Sequence, residues 1–209
     1  MFFNKAKRYA LIALSMVFLL FTSFTIKSYH ELQQQKFIVY AIPKTSAYEF
    51  INGNQQLILA DSSLIKDDSK FGFHIQNNHT LCGIHTKNIH PMNENTSNAS
   101  LMLIKHRQFI QFIKQRIAIV SEWEKEQEMA VKIKLDYLIL SKNTKASIKD
   151  VLKVFDVRLI IFDTSNTKWK AEQWKKECIA LHQAYYNVIE SGAFVGERET
   201  KRLIVVSKK

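Results

Sequence analysis

Glycine and proline are scarce: the chain of 209 residues holds five and two of them. So few of either argue against a Gly-rich phosphate loop and against a long flexible linker. Two cysteines, Cys82 and Cys178, make no disulfide framework. They could pair in an oxidising compartment, yet each is as readily a small buried hydrophobe. Acidic residues are also short, 19 against 30 Lys and Arg, for a formal net charge of +11. A surface of that sign repels cations and attracts polyanions such as nucleic acid or acidic lipid. Much of the excess is Lys scattered among Asn and Ile. Hydrophobic content of 46% and aromatic content of 11% are ordinary for a globular chain, and the length suffices for one membrane anchor plus one domain with a core.

Residues 9–26, YALIALSMVFLLFTSFTI, form an uncharged apolar run of 18, near the lower limit for spanning a hydrocarbon core of about 30 Å. Lys5, Lys7 and Arg8 precede it. This basic flank (1–8) belongs on the cytoplasmic side, which places everything after Lys27 on the outer side of the cytoplasmic membrane. A cleaved signal peptide shares the same flank and apolar core. The run is long for a signal core, Lys27 follows it at once, and Thr22-Ser23-Phe24 makes a poor cleavage site, so an uncleaved single-pass anchor is favoured.

After a linker (27–36), the residues 37–42 read as a strand. Runs 47–51 and 55–60 flank Asn52-Gly53-Asn54, the strongest short-range hairpin signal. From Lys66 to Ser100 the chain is polar and irregular, with only 71–75 strand-like and 93–100 a loop. Three short strands follow at 101–104, 109–113 and 116–120, and 122–129 reads as a helical turn or a solvated loop. The centre of the chain is 135–166, LDYLILSKNTKASIKDVLKVFDVRLIIFDTSN: a buried strand, a polar loop, a helix and a second buried strand, the signature of a βαβ unit. Ser147 stands at an N-cap with Asp150 three residues on. Residues 169–181 then carry Ala171, Trp174, Cys178 and Leu181 at helical spacing, with a strand at 185–189, a final turn and strand at 192–195 and a basic tail at 197–209. The sum is a mixed, layered α/β domain.

Three segments carry a resemblance. FIVYAIPKTSAYEFINGNQQLILADSS resembles the opening of a metallo-β-lactamase-like domain: strand, turn, hairpin, then an apolar strand ending in Asp. LDYLILSKNTKASIKDVL resembles that superfamily's strand–loop–helix, whose loop normally reads His-x-His/Asp-x-Asp-His. VRLIIFDTSNTKWKAEQWKKECIALHQAYYNVIESGAFV is similar to the end of the version fused to ComEC-type competence proteins. The resemblance implies a truncated metallo-β-lactamase-like domain over 37–196, preceded by the last membrane helix. At the family's ligand positions stand Lys142, Thr144, Ala146 and Ser147. An ammonium, two hydroxyls and a methyl cannot replace imidazoles and carboxylates, and Lys142 with Lys145 repels a dication. The hydrolytic centre is therefore expected to be dead, with no cofactor and no catalytic residue.

Other candidates are weaker. His79, Cys82, His85 and His90 offer metal-ligand types at short spacing, in a pattern that matches no common zinc motif. Asp61 and Asp163 both end apolar strands, where paired carboxylates could do acid–base work or, more often, cap turns. Lys168, Lys170, Lys175 and Lys176 surround Trp169 and Trp174, so bases could stack while ammonium groups track phosphates; the alternative is one core tryptophan beside a solvated lysine face. Lys105, His106, Arg107, Lys114 and Arg116 form a second basic set around a hairpin.

Three functional expectations follow. The first is a membrane-anchored, non-catalytic domain of a competence-type DNA-uptake protein, contacting DNA (with Lys142 and Lys145 able to hold a phosphate) or a multi-helix channel protein. The second is a metal-dependent hydrolase or nuclease with an unrecognised site. The third is a membrane-anchored structural or interaction protein with no transport role.

Overall fold

The computed structural model describes residues 2–76, 88–124 and 131–197. Helix α1 (Phe2–Gln33) carries the apolar run and continues well past it. Only Gln34 separates it from strand β1 (Gln35–Val39), so residues 27–36 are shared between helix and strand and form no linker. The junction is tied down. Gly53 donates its N–H to the Gln34 carbonyl at 2.8 Å and accepts from Gln34 Nε2 at 2.9 Å. At φ +60°, Gly53 also sits where a Cβ would lie 3.0 Å from the Leu32 carbonyl oxygen, a position that suits glycine alone. Asn52, beside it, accepts from Gln35 Nε2 and donates to the Ser100 carbonyl, both at 3.1 Å.

The Asn-Gly signal builds its hairpin: β2 (Ala47–Asn52) and β3 (Gln55–Ala60) pair antiparallel. Two short helices follow, α2 (Ser62–Ile65) and α3 (Asp68–Phe71), and a π-type turn over Gly72–Gln76. Residues 71–75 are thus helical and not a strand; Phe71 and Ile75, four apart, are buried while Phe73 points out. The strands β4 (Ile89–Pro91) and β5 (Thr96–Asn98) interrupt what reads as loop. Then come β6 (Leu103–His106), β7 (Phe109–Phe112), β8 (Gln115–Val120), β9 (Ile133–Leu140), α4 (Ile148–Val154), β10 (Phe155–Phe162), α5 (Lys168–Ala180), β11 (Tyr185–Asn187), α6 (Val188–Ser191) and β12 (Phe194–Glu197).

Among the described residues these strands form two sheets, ordered β12-β1-β2-β3-β4 and β11-β10-β9-β8-β7-β6-β5. Their inner faces share one core, where Phe37, Tyr48, Phe50 and Leu59 of the first meet Phe112, Ile139, Leu159 and Ile161 of the second. Phe50 and Phe112 cross edge to face at 5.2 Å between ring centroids, a favoured aromatic geometry. The outer face of the larger sheet is covered by α4 and α5, with Val151, Trp174 and Cys178 against Leu138, Leu140, Ile160 and Phe162. The outer face of the smaller sheet is covered by α2, α3 and the π-type turn. The central strands β9 and β10 end in continuous buried apolar runs, 138–140 and 159–162, as a sheet covered on both faces requires.

Candidate functional site

Three strand ends meet at the end of the sheets away from Gly53. β3 hands on to Asp61, β9 to the loop 141–147, and β10 to Asp163. Ser46, at the mouth of β2, joins two of them: its backbone N–H donates to Asp61 Oδ2 at 2.8 Å and its hydroxyl to Asp163 Oδ2 at 2.6 Å. Tyr48 also donates to Asp163 Oδ2, at 2.6 Å. The other carboxylate oxygen accepts from the Ser165 N–H and hydroxyl at 3.1 and 2.6 Å and from Asn166 Nδ2 at 3.0 Å. Burial pushes the Asp163 carboxyl above the ordinary range, while the hydroxyls of Ser165, Ser46 and Tyr48 draw it part of the way back. Burial first, and then the charge of Asp163, holds the Tyr48 phenol well above its usual value.

The loop after β9 is laced to the loop after β10. Lys142 N–H donates to Ser165 Oγ at 2.7 Å, Asn143 N–H to Asn166 Oδ1 at 2.8 Å, and Thr167 N–H to Asn143 Oδ1 at 2.7 Å. Lys142 and Asn143 both take left-handed backbone (φ +54° and +52°). Such residues cost stability and recur at sites the surrounding structure over-determines. Lys142 Nζ reaches Asp61 Oδ1 at 2.9 Å. Thr144 and Ala146 are buried, and the Ala146 carbonyl accepts from Trp174 Nε1 at 2.9 Å. Ser147 caps α4, its Oγ accepting from the Asp150 N–H at 3.1 Å. The loop side chains are therefore amines, amide, hydroxyls and a methyl, and the two nearby carboxylates are engaged by protein donors. This set lacks the imidazoles, thiolates and free carboxylates that hold zinc. Among the described residues no three His, Cys, Asp or Glu side chains gather as a metal ion needs.

The tryptophans part company. Trp169 is exposed (75%), whereas Trp174 is fully buried, so Trp174 is removed from any base-stacking role: the helical stripe it belongs to faces the sheet. The lysines of α5 divide as well. Lys175 is held by Glu190 at 3.0 Å and Glu172 at 3.4 Å. Lys170 lies over the Trp174 ring at 5.0 Å from its centroid, and Lys176 is exposed further along the helix. Lys168 and Lys145 are exposed at the strand-end site. They are joined there by Lys44, whose N–H donates to the Thr164 carbonyl at 3.0 Å. Lys44 belongs to no sequence pattern; only the packing of its turn against β10 brings it in.

His90 Nε2 lies 3.0 Å from Asn88 Oδ1, while His79, Cys82 and His85 lie outside the described residues. Cys178 is a buried free thiol, pushed up to about 12 by burial. The second basic set is split between opposite ends of its strands. Lys105, His106 and Arg107 lie at the β6–β7 turn, where Lys105 is buried and donates to the Glu94 carbonyl at 2.6 Å. Lys114 and Arg116 lie at the β7–β8 turn.

The family model of the ComEC C-terminal domain matches residues 37–198. The chain belongs to the ComEC C-terminal domain family. The match begins within β1 and runs just past β12, so both sheets and their outer helices lie inside it. No curated protein and no solved structure matches the chain. Membership points to competence and DNA uptake. One helix long and apolar enough to cross a membrane, spanning Tyr9–Gln33, is consistent with a membrane protein.

Proposed function

We propose that this chain is the membrane-anchored, non-hydrolytic domain of a competence-type DNA-uptake protein, held on the outer side of the cytoplasmic membrane, and that its strand-end site contacts DNA. Family membership carries the uptake role. The observation that carries the non-hydrolytic part is the chemistry of the loop 141–147. Where the resemblance to metallo-β-lactamase-like domains calls for ligands, the chain has Lys142, Thr144, Ala146 and Ser147, three of them committed to the Asp61 ion pair, the Trp174 bond and the α4 cap. Two face-to-face sheets clad in helices support that resemblance. The Lys5, Lys7 and Arg8 flank supports an inside N-terminus.

The DNA-facing groups are Lys44, Lys145, Lys168 and Trp169, gathered at one end with Trp169 free to stack. Binding of this kind is weak, sequence-independent and salt-sensitive, because it works by releasing counterions from phosphates. A single helix forms no aqueous channel, so the uptake path itself needs more helices than this one. Binding of the full chain in detergent to single- and double-stranded DNA, titrated with salt, tests the reading. Neutralising Lys145 and Lys168 should lower the slope of log affinity against log salt by about one for each phosphate left without its lysine. An unchanged slope removes the DNA-binding role, and stoichiometric zinc or manganese in the purified protein removes the non-hydrolytic one.

A further inference from the structure

We propose that the end of the domain beside α1 lies on the bilayer surface, with Met102 in the headgroup layer and a basic rim against acidic lipid headgroups. The inference rests on the reading of α1 as a membrane anchor. Its first support is distance. Seven helical residues, Lys27 to Gln33, follow the apolar run, a rise of about 10 Å. The headgroup layer is itself about 5–8 Å deep on each side, so the β2–β3 tip is set down at its outer edge. The bonds of Gly53, Gln34, Gln35 and Asn52 leave no slack there.

The second support is what that end carries. Asn52 binds the Ser100 carbonyl, which brings the turn before β6 beside the hairpin tip. Met102 in that turn is 59% exposed and takes left-handed backbone (φ +52°). An unbranched apolar side chain in a conformation that favours Gly or Asn, and turned into solvent, brings the fold no core packing and a strain cost. Its carbonyl accepts from the Ile113 N–H at 2.9 Å, so Lys114 stands next to it. Arg116, Lys132 and Lys134 are exposed at the same end of the larger sheet, facing Asp136, which lies 3.8 Å from Arg116, and the exposed Asp156. Among the described residues at this end of the larger sheet, Lys114, Arg116, Lys132 and Lys134 outnumber Asp136 and Asp156, an excess that an anionic leaflet attracts. An apolar side chain set in a basic rim suits a headgroup layer.

The test uses the full chain in vesicles of phosphatidylcholine with or without phosphatidylglycerol. An environment-sensitive fluorophore is placed at Met102→Cys, Ser100→Cys or Lys145→Cys, each in a Cys82→Ser, Cys178→Ala background. Labels at 100 and 102 should shift to the blue and be quenched by a headgroup nitroxide lipid, while the label at 145 stays aqueous. Changing Lys114 and Lys134 to Glu should lower the ratio of surface-bound to unbound domain at least about fivefold for each cation removed, in the anionic vesicles only. Carbonate-resistant, floating protein whose label at 102 is as aqueous as that at 145 overturns the inference and leaves the anchor standing. Protein washed off by carbonate removes the anchor, and the inference with it. Labels at 100 and 102 that respond to duplex DNA and not to vesicles also overturn it.

Discussion

Lys142 Nζ stands 2.9 Å from Asp61 Oδ1, so an ammonium group joins the loop after β9 to the end of β3. Asp61 is the more buried partner, with 16% of its side chain exposed against 50% for lysine. It alone also accepts from the Ser46 N–H. Lys142→Met should therefore cost less than about 1 kcal/mol, the usual worth of a half-exposed ion pair. Asp61→Ala, which strands a largely buried N–H, should cost about 1–3 kcal/mol. Urea denaturation of the full chain in detergent reads both; equal costs would mean that the ion pair, and not the Ser46 bond, holds this corner.

Asp163 sets a pH dependence. An acid held above the ordinary aspartate value of about 3.9 binds its proton more tightly folded than unfolded. Its contribution is complete below the unfolded value and is lost as pH rises through the folded one. Denaturation midpoints of wild type and Asp163→Asn, compared from acid to neutral pH, should show the wild type losing ground as pH rises. A constant difference would mean that its hydroxyl donors fully offset burial. Tyr48→Phe, which removes one such donor, should steepen the wild-type loss.

The two tryptophans give opposite outcomes. Trp174→Ala removes a buried ring, its bond to Ala146 and its packing on Phe162, and should cost about 3–5 kcal/mol. Trp169→Ala should leave thermal stability within about 0.5 kcal/mol, while weakening single-stranded DNA binding by about 1–3 kcal/mol if a base stacks there. Melting and binding measured on both variants separate core from binding surface.

Gly53→Ala should destabilise by more than about 1 kcal/mol, since the new Cβ meets the Leu32 carbonyl and the backbone is left-handed. Limited proteolysis around residues 30–36 should speed up, because the substitution pries apart the point at which helix is clamped to sheet. A variant as resistant as wild type would show that the junction holds without the glycine.

Local chemistry explains which parts of this fold are readable from residues alone. The Asn52-Gly53 turn, the Ser147 cap and the strand–helix–strand run around it are set by neighbours in the chain, and they form where their residues indicate. The spacing of Ala171, Trp174 and Cys178 likewise marks the stripe of α5 that is buried. Phe71, Phe73 and Ile75 alternate like a strand, and it is the packing of Phe71 and Ile75 under the smaller sheet that makes the segment helical. β4 and β5, at three residues each, are too short to display a period. Ser46 and Tyr48 meet Asp163 across more than a hundred residues of chain, and no local signal marks that meeting. The same holds for Lys44, and for the burial of Lys105 on a face that alternates like a surface strand.

With a single residue between α1 and β1, and Gly53 locked against both, the helix acts as an axle for everything beyond it. One residue added between Lys27 and Gln33 would swing the domain by about 100° around that axle and lift it about 1.5 Å. The azimuth of the domain about α1 is thus written in the length of that helix.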